Sequence, residues 1–508
     1  MAAHRFATSV DAAATGATLG LGVWFACDVV ALPFLTGHGA AWTLAGVRAA
    51  LGNLPAWMIV AALATVVRAA VGRRFPSRRG ARAARAAAPA RVLILGGGFA
   101  GITTAMALER ALRDESGVEL TVVSDTSALV FTPMLAEVAG GSVEAAHISS
   151  PTRTALRRTN FVRGRVRGVD FERCTVAVDD GQRPYDHLVF ALGAVSNYVG
   201  LVNVERHAFE FRSLLDAINL RNRVVEVFER ADAAESAAER TALLTFVVAG
   251  GGFAGTELAG ALNDFARGIV VDYPRVEPAN VNVVLVHARE RILPELAESL
   301  AQYALARMTA RGVTFRLGAR VADATDDRVV LDSGETIATH TIIWTAGNAP
   351  NPLLQACGVR CDRRGAAIVD ATLAVADRPR VWALGDCAAV SDPQTGTPYP
   401  PTAQFALREA KTVARNIRAS LRGAPSAPFA FRSLGALCVI GHQTACAEVR
   451  LPLTGRTVRF SGFLAWLAWR AIYLSKLPGF ERKLRVFIDW NIELFFPRDI
   501  VQTATTQV

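Results

Sequence analysis

Two kinds of hydrophobic run divide this chain. Long runs lie near the start: 16–35 (GATLGLGVWFACDVVALPFL) and 54–71 (LPAWMIVAALATVVRAAV) are each about the length needed to cross a bilayer core. Together they predict a membrane hairpin over 1–77, followed by an Arg/Ala-rich linker over 78–90. From 91 to about 420 the apolar runs shorten to strand length and alternate with segments of helical period, the pattern of an α/β fold. The last 75 or so residues change again. The stretch 461–474 (SGFLAWLAWRAIYL) is apolar and aromatic but short for a span, and Arg470, Lys476, Arg482, Lys483 and Arg485 interleave with Phe480, Phe487, Trp490, Phe495 and Phe496. Aromatic residues among snorkelling cations suit helices lying in a membrane interface, so 431–508 is expected to be membrane-associated; a core or dimer element is the alternative.

Two short runs end in the same hexapeptide. Val92-Leu93-Ile94-Leu95 enters GGGFAG at 96–101, and Phe246-Val247-Val248-Ala249 enters GGGFAG at 250–255. Strand, Gly-rich turn and helix form the context of a dinucleotide site. Gly96 and Gly250 would make the tight turn, Gly98 and Gly252 would let the backbone approach a pyrophosphate, and Gly101 and Gly255 would let helix and strand pack closely. Phe99, Ala100 and Phe253 complete the turns. Two such motifs imply two dinucleotides held at once, a flavin and a nicotinamide being the obvious pair. Flavin-type signals resume after the second motif, which predicts one nucleotide domain inserted in another. The expected divisions are 91–202 for the first part of the FAD domain and 203–320 for the NAD(P)H core, with 321–430 holding the rest of both.

Further candidates lie at strand ends. After the first Gly-rich helix, 119–125 (ELTVVSD) should offer a carboxylate to an adenosine ribose; Asp125 can do so, with Ser124 one position earlier. The matching strand of the second unit, 281–287 (VNVVLVH), ends in His287, with Arg289 and Arg291 close behind. Without an acid there, repulsion of a ribose phosphate is weaker, so NADPH is a candidate donor beside NADH. Ala191 and Gly193, and Gly347 in Thr345-Ala346-Gly347, sit in turns at strand ends. Gly385-Asp386 closes a third apolar strand, where a carboxylate can accept hydrogen bonds from a ribityl hydroxyl.

The net charge of +10 rests almost wholly on arginine, since Lys411, Lys476 and Lys483 are the only lysines. No recognition motif accompanies that charge, so nucleic acid is not an expected partner. Seven cysteines lack the CxxC spacing of a zinc site, no metal is expected, and no cysteine pair follows the first Gly-rich helix as in flavin disulfide reductases. Arginines 68, 73, 74, 78, 79, 82 and 85 follow the second long run, whereas 36–53 carries only Arg48. By the positive-inside rule, the flavin domain faces the cytoplasm at the cell membrane. Asp28, inside the first run, has either a functional or a buried structural role.

Over about residues 91–500 the chain resembles the type II NADH dehydrogenases, single-subunit NADH:quinone oxidoreductases that do not pump protons. The resemblance is carried by GGGFAG, VFTPMLAEVAGG (130–141), YDHLVFALGAVSN (185–197), VVAGGGFAGTELAGAL (247–262), ARERILPEL (288–296), WTAG (344–347), ALGDCA (383–388), PPTAQFALREAK (400–411) and SGFLAWLAWR (461–470). It implies two Rossmann-type domains, FAD in the first site, a nicotinamide in the second, a quinone from the membrane, lipid contact and a homodimer. It places Thr132 and Pro133 near the flavin, Glu257 beside the nicotinamide, and Ala403 and Gln404 at the quinone end of the isoalloxazine. Three positions depart from the family pattern. Ser124 aligns with the ribose acid, His287 replaces the nicotinamide ribose acid, and Arg408 replaces the second glutamine of the quinone motif, with Glu409 following it. The hairpin is also an addition. The implied reaction passes hydride from NAD(P)H to flavin and two electrons on to quinone, with Glu257 and Gln404 as the candidate catalytic residues. Related readings are a sulfide:quinone or electron-transfer protein reductase, for which Cys387 is the candidate thiol, and a membrane-tethered redox sensor.

Overall fold

The computed structural model describes residues 53–74 and 89–503 except 116, 180, 452 and 453, together with 13, 16, 17, 20, 23, 24, 27 and 28. Two five-stranded parallel sheets organise it. The first runs in spatial order Val381–Ala383, His187–Phe190, Ala90–Leu95, Val118–Ser124, Thr159–Arg163. The second runs Phe209–Glu210, Thr341–Trp344, Thr245–Ala249, Asn282–His287, Val313–Leu317. In each, the strand that feeds a GGGFAG turn is central, and both faces of that strand are covered. Val92 to Leu95 are all at most 2 % exposed, as are Phe246 to Ala249. Strands buried on both faces need apolar residues without alternation, which is why these runs are continuous.

The first sheet is completed from beyond the second: Val381–Ala383 pairs in parallel with His187–Phe190. An antiparallel pair, Ala194–Ser196 with Asn348–Pro350, ties the outward and return connections together. Each sheet also carries a three-stranded antiparallel meander, 166–184 in one unit and 321–338 in the other.

Beyond helix Ala403–Leu421 a third layer forms. Strands Gly435–Val439, Ala445–Arg450 and Thr457–Gly462 make an antiparallel sheet, followed by helices Phe463–Lys476 and Phe480–Ile492. Here 461–474 divides between strand and helix. Ser461 and Gly462 are strand, and helix Phe463–Lys476 buries Ala465, Trp466, Trp469 and Leu474 in the same core as the second nucleotide unit. Its indoles therefore bind the layer to the protein. Exposed aromatic residues occur further on, at Phe495 (80 %) and Phe496 (65 %). Gly260 allows the approach: a Cβ there would lie 2.8 Å from the Ile440 carbonyl carbon.

The second long run is helix Leu54–Arg74; most of the first run, the connection 36–52 and linker residues 78–88 lie outside the described residues. Gly16 and Gly20 abut the helix, because a Cβ on either would collide with the carbonyl oxygens of Ala61 and Trp57. Trp57 Nε1 donates to Asp28 Oδ2 at 3.2 Å, giving that carboxylate a structural partner. Ile59, Val60, Leu63 and Val67 are exposed. Among the described residues, no helix is long and apolar enough to cross a membrane.

Candidate functional site

The two Gly-rich turns are near copies in geometry. Gly96 has φ +114° and Gly250 φ +116°, a region closed to most L-residues. A Cβ on Gly96 would strike the Ala191 carbonyl oxygen, and one on Gly250 would lie 2.6 Å from Thr345 Oγ1. Gly101 and Gly255 sit so close beneath their turns that a Cβ on either would collide with the carbonyl oxygen of Gly96 or Gly250. By contrast, a Cβ on Gly98 would meet nothing within 4 Å, and one on Gly252 only Glu295 Oε1 at 3.8 Å. Open space lies at the residue that caps each helix, Phe99–Ala111 and Phe253–Ile269, and neither helix has an acid in its first turn. Helix N-termini with no acid of their own and room for a ligand make both turns fit a pyrophosphate.

The middle glycines report what each second strand presents. Ser124 ends its strand buried, with its Oγ 2.6 Å from a Cβ built on Gly97, and it accepts from Thr126 N at 3.3 Å. His287 ends its strand in the equivalent place, its ring 2.7 Å from a Cβ built on Gly251. Asp125 follows Ser124 and is exposed. Its carboxylate thus lies one residue past the position that matches His287.

The remaining first-unit candidates gather around that turn. Ala191 touches Gly96, and Gly193 has φ +66° just beyond. Gly385, at φ +69°, faces the first cradle helix: a Cβ there would lie 3.3 Å from Ala100 Cβ and 3.5 Å from Ala406 Cβ. Its N–H donates to Glu409 Oε2 at 2.7 Å. Burial pushes the Glu409 carboxyl up to about 7, against the pull of that N–H. Burial also raises Asp386, an effect opposed by Arg212. Phe99 packs edge-on against Phe131, and Phe131 against Tyr473, so a row of rings runs from the first cradle to the C-terminal layer. Gly347 is pressed against the Asn197 carbonyl, where the two connections meet.

Gln404 lies in the first turn of helix Ala403–Leu421. Its Oε1 accepts from Leu434 N at 2.7 Å and its Nε2 donates to Gly435 O at 3.1 Å, which clasps the helix to the third layer. One amide hydrogen is not used by these bonds. Arg408 instead lies over the Phe431 ring at 4.3 Å.

A second group surrounds Glu257. Its Oε1 accepts from Val439 N at 3.2 Å, and burial pushes its carboxyl up to about 8. It lines a small cavity of about 30 Å³ with Pro133, Glu137, Asp264, Arg470 and Glu493, space for a water molecule or two. Glu137 accepts from Ser142 Oγ at 2.9 Å and Trp490 Nε1 at 3.0 Å, and burial raises it as well. Arg470 and Arg498 hold Glu493 at 3.1 and 2.6 Å. The sequence reading singled out Glu257 and Pro133 here and missed Glu137, Glu409, Arg470 and Glu493 as site residues. Glu137 lies in the quoted VFTPMLAEVAGG stretch, but nothing local marks it as buried.

Cys387 is fully buried, its Sγ bonded to the carbonyls of Phe190 and Leu384, and burial pushes its thiol up to about 12. All seven cysteines are free. An inert thiol without a partner does not suit sulfide chemistry.

The chain matches the pyridine nucleotide-disulphide oxidoreductase family over residues 90–410 and the NDH2 C-terminal domain over 434–499. A type II NADH:quinone oxidoreductase of Mycobacterium tuberculosis is 33 % identical over 436 residues, 82 % of this chain and 90 % of the relative. That of Staphylococcus aureus is 28 % identical over 378 residues, 73 % of this chain and 92 % of the relative. Among solved structures, NDH2 from Plasmodium falciparum in complex with NADH has a TM-score of 0.73 at 17 % identity, covering 81 % of this chain and 99 % of that one. The sulfide:quinone oxidoreductase of Aquifex aeolicus has a TM-score of 0.63 at 18 % identity, covering 82 % and 100 %. Both structures share the fold.

Proposed function

The chain belongs to the type II NADH:quinone oxidoreductases, within the pyridine nucleotide-disulphide oxidoreductase family, and on that premise we propose how its two cradles divide the work. The protein is a flavoprotein that oxidises NADH and reduces quinone without pumping protons. The observation that carries the assignment is the pair of matching glycine turns, each on the central strand of a five-stranded parallel sheet.

Gly96, Gly98 and Gly101 hold the FAD pyrophosphate, with Phe99 and Ala100 opening the helix beneath it. Asp125 reaches the adenosine ribose, with Ser124 closing the pocket beside it. Asp386 takes the ribityl chain, and Gly385 is fixed for that contact by Glu409. Ala191, Gly193, Thr132, Pro133 and Ala403 border the isoalloxazine. Gly250, Gly252, Phe253 and Gly255 receive the reductant, with His287 at its ribose and Gly347 near the nicotinamide end. FAD bound there would supply the hydride acceptor for the nicotinamide and the two-electron donor for the quinone.

Around it the chain manages protons and access. Glu257 keeps its proton at neutral pH, because burial disfavours the anion. Its Oε1 accepts from Val439 N. A water in the adjoining cavity could carry the proton between Glu257 and Glu137, while Arg470 and Arg498 balance the charge of Glu493. Gln404 points its spare amide hydrogen to a quinone carbonyl.

The hairpin and the C-terminal layer attach the enzyme to the cytoplasmic face of the cell membrane, where it works as a homodimer on lipid-dissolved quinone. What supports the hairpin is the glycine-mediated approach of its two segments, as in small-residue helix pairing within bilayers, together with the exposed apolar residues of Leu54–Arg74. Purification from membranes tests the whole reading. A yellow protein that NADH bleaches and a short-chain quinone restores is expected; a colourless protein after reconstitution with FAD would refute it.

A further inference from the structure

The strand end that faces the adenosine ribose in the second cradle is built as a hydrogen-bond donor. Gly251 N–H donates to His287 Nδ1 at 3.0 Å. A ring nitrogen that accepts a bond carries no proton, so the neutral imidazole bears its hydrogen on Nε2. Burial, and then Arg289, keep the ring below its ordinary pKa and therefore neutral at pH 7. Nε2 is shielded from water and has no partner. A donor is thus held at the strand end with nothing to receive its proton.

A carboxylate in this place accepts from both ribose hydroxyls of NADH. An N–H cannot accept, and it forfeits those charge-assisted bonds. A 2′-phosphate, in contrast, is rich in acceptors and anionic. Arg289 stands two residues beyond His287, exposed and without an ion pair among the described residues. Of the neighbouring acids, Glu290 is turned against Gly318, and Glu295 borders the pyrophosphate turn at Gly252. We propose that His287 and Arg289 make this cradle accept NADPH as well as NADH and bind the 2′-phosphorylated ribose the more tightly. The proposal rests on the second cradle being the nicotinamide site.

Calorimetric titration of the FAD-loaded protein with ADP-ribose and with 2′-phospho-ADP-ribose reads this without turnover. The phosphorylated ligand is expected to bind at least about tenfold more tightly, a difference that shrinks as salt rises. Arg289→Ala, on the surface, should remove most of that difference and leave ADP-ribose affinity intact, and His287→Glu should reverse the preference. Equal binding by the parent protein overturns the proposal alone. So does a Glu295→Gln variant that loses ADP-ribose affinity selectively, since Glu295 would then be serving as the missing ribose acid. Failure of both ligands to bind, with no bleaching by either nucleotide, overturns the nicotinamide assignment itself.

Discussion

A carboxyl group in this protein takes its character from the depth at which the fold leaves it. Asp125 is exposed, whereas Glu257 and Glu409 lie deep and burial displaces them to about 8 and about 7. For an acid whose folded pKa is raised, the folded state binds the proton more tightly than the unfolded chain, so stability declines as pH rises from the ordinary carboxylate value through the folded one. Glu257→Gln should therefore flatten the fall in melting temperature between about pH 5 and pH 8, measured beside the parent by scanning fluorimetry; an unchanged slope would mean that Glu257 is not desolvated. Gln404→Ala removes the clasp to Leu434 and Gly435 and the spare amide hydrogen together. About a tenfold loss of quinone turnover is expected, as for one hydrogen bond to a reacting carbonyl, with NADH reduction of a soluble dye preserved. Equal loss in both assays would assign Gln404 to the clasp alone.

At the scale of elements, the strand, turn and helix units are the parts most legible in the chain. Each needs only neighbouring residues: a continuous apolar strand, a glycine at positive φ, and a glycine beneath the turn. The two copies should therefore fail separately. Gly101→Val forces side-chain atoms into the Gly96 carbonyl and should yield a colourless protein, whereas Gly255→Val should stay yellow and lose bleaching by NADH, both read from absorbance spectra. The helix Phe463–Lys476 was less legible. Its aromatic and basic composition fits both an interface helix and a core helix, and only the packing shows that Trp466 and Trp469 turn into the core. Composition records which side chains are apolar; it does not record which surface covers them.

For the whole molecule, attachment and catalysis belong to different layers. The second sheet and the C-terminal layer share one core and Gln404 clasps that layer to helix Ala403–Leu421, while Gly16 and Gly20 pack on helix Leu54–Arg74. Deleting residues 1–77 should leave FAD content and NADH-to-dye activity near those of the parent and reduce co-sedimentation with anionic vesicles. Adding Phe495→Ser and Phe496→Ser to the deletion should reduce it further, because two exposed rings would no longer enter the interface. Full retention on vesicles after both changes would place the membrane contact elsewhere.

The chain itself determined the two phosphate cradles, their order, and the missing acid at His287, because each is written in residues adjacent in sequence and a glycine's conformational freedom is a local property. Tertiary structure alone decided what long-range contacts create. It brought Glu137, Glu257, Arg470 and Glu493 around one small cavity from four separate segments, and raised Glu257 and Glu137 by removing water from around them. It also fixed the His287 tautomer through an N–H 36 residues away. Solvation and hydrogen-bond partnership depend on what surrounds a group in space, and that information appears only once the chain has folded.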